Sequence, residues 1–111
     1  MDIEFNIQLN SEIMYNVRLR RYRSFHYCPS FGKHWPVTTE CVLTKMVSDY
    51  NGGFHRTESV ITKAVKDSRD NDNVTHGCTV AFTKALILHK FVRNERKKMW
   101  SEFFNQLNKF N

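Results

Sequence analysis

Residues 2 to 9, DIEFNIQL, alternate without a break: Ile3, Phe5, Ile7 and Leu9 fall on one side, and Asp2, Glu4, Asn6 and Gln8 on the other. A period of two over this length is what a strand with one buried face requires. After Asn10-Ser11-Glu12 a second alternation sets Ile13, Tyr15, Val17 and Leu19 inward and Asn16, Arg18 and Arg20 outward. The two runs predict an antiparallel hairpin and its register. A two-residue turn would put the apolar sets on opposite faces, whereas a three-residue loop at 10–12 pairs Leu9 with Ile13 and keeps one core face. Glu4 is then opposite Arg18 and Asp2 opposite Arg20, cross-strand charge pairs worth roughly 0.2–1 kcal/mol each.

The rest of the chain is read as mainly helical. The alternation breaks at Arg20-Arg21, which predicts a bulge or a strand leaving the sheet, with Arg21, Arg23, Phe25 and Tyr27 on one face and a third strand around 22–28 as an extension. Cys28 to Pro36, with two prolines and a glycine, reads as a loop. Val42, Leu43, Met46, Val47 and Tyr50 recur at helical spacing, predicting a helix over 37–50 that Asn51-Gly52-Gly53 ends. Thr57 and Glu58 open a shorter one carrying Val60, Ile61, Ala64 and Val65. From 79 to 110 there is no Gly or Pro. Ala85, Leu88, Val92, Met99, Phe103 and Leu107 form one stripe there, with Val80, Ile87 and Phe91 opposite, so one long helix or two with a break near Asn94 are expected. The expected architecture is α+β, a single domain over 1–111. An N-terminal antiparallel β-hairpin packs against three or four helices, and the chain ends in a long basic helix.

Charge points outward. The chain carries a net +6, concentrated at 79–111, where seven Lys/Arg face two acids. That surplus draws a domain toward phosphates or acidic protein surfaces. Two stretches are the candidates for such contact. RLRRYR places Arg18, Arg20, Arg21, Tyr22 and Arg23 together, guanidinium groups for phosphates and a ring for stacking. RNERKKMW places Arg93, Lys97 and Lys98 on a basic helix, with Arg96 inside the apolar stripe, where it either marks a helix break, snorkels beside Trp100 or meets a buried acid.

Catalytic and metal signatures are lacking. There is no phosphate-cradling glycine loop, no His-Glu metal helix and no nucleophile elbow. Asp67, Asp70 and Asp72 lack the glycine and glutamate of a calcium loop. His26, Cys28, His76 and Cys78 form two His-x-Cys pairs, but one intervening residue is an unusual spacing for zinc, so neither metal nor cofactor is expected. Three cysteines without a signal peptide fit a reducing compartment, the cytoplasm, or that of a host if the chain is viral. Ten Asn, nine Lys and nine Phe against three Ala is the composition of AT-rich phage and viral accessory genes. The expectation is a small basic non-catalytic protein contacting RNA or DNA through the Arg/aromatic strand and the basic helix. The alternative is a phage-type inhibitor or adaptor docked on a larger nucleic-acid-binding complex. Self-pairing through a free sheet edge is a further expectation, and a membrane span is not.

Overall fold

The structure, a computed structural model, describes residues 2–23, 26–28, 32–34, 37–66 and 74–109. Its elements in chain order are β1 (Asp2–Gln8), β2 (Ile13–Arg23), β3 (His26–Cys28), β4 (Gly32–His34), β5 (Val37–Ser48), β6 (Phe54–Lys66), α1 (Val74–His89) and α2 (Arg93–Asn108). Four strands make an antiparallel sheet in the order β1-β2-β5-β6, and β3 and β4 form a separate two-stranded sheet.

The hairpin has the expected register. Asp2 faces Arg20 and Glu4 faces Arg18. The Leu9 N–H donates to the Ile13 carbonyl across the three-residue loop, and the Asn10 side chain accepts from the backbone N–H groups of Glu12 and Ile13. No bulge follows: β2 pairs with β5 through Arg23 without a shift. The sheet ladder therefore continues the alternation past Arg20, and the expected third strand contributes only to the small β3-β4 sheet.

The α+β class stands, but where three or four helices were expected there are two among the described residues. Residues 37–48 and 54–66 are strands, because their side chains suit a pleated surface better than a helix. Val37, Thr38, Thr39, Val42, Thr44 and Val47 are β-branched and stiff about χ1, and Val37, Thr39, Cys41 and Leu43 alternate inward against Arg23, Arg21, Leu19 and Val17 of β2. Asn51-Gly52 is a hairpin turn and not a helix stop. Gly52 takes φ +82°, and the Asp49 carboxylate accepts the Asn51 and Gly53 N–H groups. In β6 the register shifts opposite Lys45/Met46, leaving Thr57 as the extra residue of a bulge. That inversion of faces hides the period of two in its sequence.

Both helices cover one face of the sheet, α1 over β5 and β6 and α2 over β1. Cys78, Ala81, Phe82, Ala85 and Leu86 of α1 recur at i, i+3, i+4, i+7, i+8, and Met99, Phe103 and Leu107 of α2 at i+4. They meet Ile3, Phe5, Ile7, Tyr15, Val17, Leu19, Cys41 and Leu43. Phe82 stacks on Phe103 at 4.1 Å, and Phe5 tilts against Phe103 at 6.1 Å. Of the two arrangements expected for 79–110 the divided one is found, with the break at residues 90–92 instead of near Asn94. Lys90 has φ +53°, α1 ends there, and α2 restarts from Val92 on a new phase. Leu88 and Val92, expected inside, are 57% and 63% exposed, and Ile87, expected to be buried on the opposite side, is 68% exposed. Among the described residues no helix is long and apolar enough to cross a membrane.

Candidate anionic-partner interface

The strand ladder divides the arginine-rich stretch between two faces. Arg18 and Arg20 stand on the outer face, which the helices leave open, while Arg21 and Arg23 lie on the helix face opposite Thr39 and Val37. On the outer face Arg20 shares a cross-strand row with Asp2, Glu40 and Lys63, and Arg18 one with Glu4, Val42 and Ile61. The charges interleave. Arg20 places its guanidinium 5.4 Å from the Tyr22 ring centroid, and Glu4 accepts a hydrogen bond from the Asn16 amide at 3.1 Å. Arg21, half-buried, works against the burial that raises the Cys78 thiol pKa. The ladder thus sets Arg18, Arg20 and Tyr22 on one face and Arg21 and Arg23 on the other.

The basic helix sets Arg93, Arg96, Lys97 and Lys98 against Glu95 and Glu102. Glu95, the acid of its first turn, turns back to accept the Val92 N–H at 3.2 Å, half of a capping box that valine cannot return. Lys98 donates from Nζ to the Leu9 carbonyl at 2.8 Å, pinning α2 to the hairpin loop. Arg93, Arg96 and Lys97 are exposed, with no acidic side chain in ion-pair contact among the described residues. Arg96 snorkels: it borders Trp100 in a cleft of about 390 Å³ between α1 and α2, which Lys90 also lines.

Sequence reading missed the tightest titratable group. Tyr15, His89 and Glu58 converge where α1 ends over the sheet: His89 Nδ1 is 3.4 Å from Glu58 Oε1, and its ring meets Tyr15 edge-on at 5.4 Å. Burial, with the carboxylates of Glu58 and Glu95 adding to it, pushes the Tyr15 hydroxyl up to about 12. Phe91 packs against both rings, so this cluster serves the packing at the α1 C-terminus. Signals for it existed only as isolated residues on three elements.

His76 and Cys78 lie two residues apart on α1, about 200° around its axis, with His76 exposed and Cys78 fully buried. They cannot turn toward one ion together. The side chains of His26 and Cys28, and the acidic run Asp67, Asp70 and Asp72, lie outside the described residues. Among the described residues no group of three or more His, Cys, Asp or Glu is arranged for a metal. Compared with known protein families, with curated proteins and with solved structures, the chain finds no match in any of the three.

Proposed function

We propose that this protein is a small, non-catalytic binding domain of the cytoplasm that engages an anionic macromolecular partner through α2 and the α1–α2 junction, not through the arginine-rich strand. The observation that carries the reading is the partition of charge. Arg18 and Arg20 sit among Asp2, Glu4 and Glu40, whereas Arg93, Arg96 and Lys97 stand exposed while the neighbouring Glu95 is engaged in a cap. A row of alternating charges is near neutral at a distance, whereas α2 sets Arg93, Arg96, Lys97 and Lys98 against Glu95 and Glu102 and keeps a positive surplus. An acidic protein surface, such as the nucleic-acid-binding site of a larger complex, and nucleic acid itself both answer to that chemistry. Apolar groups beside the cations favour the protein, and the role is then that of an adaptor or inhibitor.

Affinity capture from a bacterial lysate, with and without nuclease, tests the reading. A protein retained after nuclease treatment, lost with Arg93→Glu/Lys97→Glu and kept with Arg18→Glu/Arg20→Glu, supports it. Retention unaffected by the α2 charge reversal removes it.

A further inference from the structure

Resting on that reading, the cleft between α1 and α2 narrows the partner. It is lined by Thr83, Leu86, Ile87, Phe91 and Trp100 together with Lys90 and Arg96. Ile87 is 68% exposed, and Leu88 of α1, Val92 at the start of α2 and Phe104 of α2 are further exposed apolar residues. Large apolar side chains left in water around a concavity mark a surface that another chain covers. Lys90, whose left-handed conformation (φ +53°) ends α1, also borders the cleft. We propose that this cleft receives one large apolar side chain from an acidic segment of a partner protein, whose flanking carboxylates lie against Lys90 and Arg96.

The ring geometry argues for an inserted side chain over a stacked base. Trp100 is already stacked on Phe104 at 5.4 Å and 20°, with Phe82 and Phe103 set edge-on to it at 5.1 and 5.7 Å. Phe91 is held edge-on by Tyr15 at 5.1 Å. The aliphatic flanks of Leu86 and Ile87 complete the walls, a lining suited to leucine or phenylalanine. Arg93 and Lys97 extend the positive field along α2, so acids on both sides of the inserted residue are attracted.

Trp35→Phe leaves Trp100 as the sole tryptophan, so its emission reports on the cleft. Short Asp/Glu-rich peptides with one central leucine, phenylalanine or alanine are titrated in, beside lysine-flanked counterparts and an oligo-dT strand. Amide NMR shifts of Thr83, Ile87 and Arg96 in the unaltered chain give the same readout without the substitution. The leucine and phenylalanine peptides are expected to shift Trp100 to the blue and to bind about tenfold tighter than the alanine peptide. Ile87→Asp, at an exposed position that leaves the core intact, should abolish that advantage, and lysine flanks should abolish binding. Four results overturn the proposal. If leucine and alanine peptides bind alike, insensitive to Ile87→Asp but lost with Arg93→Glu/Lys97→Glu, the cleft is wrong and the basic-helix reading stands. If oligo-dT is bound and Ile87→Asp releases it, the occupant is nucleic acid. If sedimentation shows a dimer that Ile87→Asp dissociates, the occupant is a second copy of this chain. If neither peptide nor oligo-dT binds at low salt, both readings fall.

Discussion

Replacing Gly77 by alanine sets two opposing effects against each other. Gly77 is in the first turns of α1, directly over β5, and a Cβ built there would lie 2.6 Å from Thr39 Oγ1 and 3.5 Å from Thr39 Cβ. Alanine in a helix is favoured over glycine by about 1 kcal/mol. Against this, Thr39 is 2% exposed and branched at Cβ, so it cannot swing aside, and α1 must lift from the sheet. Overpacking of this kind costs about 1–3 kcal/mol, so the packing term wins and Gly77→Ala is expected to lose about 1 kcal/mol net. In a Thr39→Ala background the obstacle is gone, and the same substitution should gain up to about 1 kcal/mol. Urea unfolding of the four proteins measures the coupling directly, about 1–3 kcal/mol, and the sign of the Gly77→Ala effect should invert between backgrounds. A Gly77→Ala protein at least as stable as the parent with Thr39 present would refute the close approach of α1 to β5.

Alkaline pH should unfold the protein. Burial raises the thiol of Cys41 from 9.0 to about 12 and that of Cys78 above 9.0, and lifts Tyr15 from 10.0 to about 12. The folded state keeps these protons where the unfolded chain has lost them, so their contribution is complete below pH 9 and disappears as pH rises toward 12. The urea midpoint should fall across that window, less steeply in Tyr15→Phe, and a flat profile would contradict the burial of these groups. Lys90→Gly should raise the melting temperature and Lys90→Val lower it, each by the equivalent of about 1 kcal/mol, since φ +53° penalises any side chain, a branched one most. A glycine variant less stable than the parent would show that Lys90 contributes more through its side chain than its backbone loses.

The hairpin was legible to the residue because alternation, loop length and opposite charges all favoured one pairing. Residues 42, 43, 46 and 47 suit both a helix stripe and a strand, and propensity decided between them: the six β-branched residues of β5 carried the signal that the spacing obscured. The bulge at Thr57 scrambled the faces of β6. In the last third, Met99, Phe103 and Leu107 were identified because they lie within one unbroken helix, whereas Leu88 and Val92 were misplaced because nothing in Lys90 announces a left-handed residue. Arg18, Arg20, Arg21, Tyr22 and Arg23 look like one site in linear order, and a strand cannot present consecutive residues on one face. The α1–α2 cleft joins residues from two helices whose relative phase depends on that same turn, so sequence spacing could not reveal it.

The strands of the main sheet neighbour one another in chain order, and the two helices that cover it come last. A ribosome making this protein therefore finishes the sheet before the material that shields it. Until α1 and α2 dock, Phe5, Ile7, Val17, Leu19 and Leu43 form an apolar face on a sheet whose outer strands are β1 and β6, a substrate for chaperones and a template for mispairing.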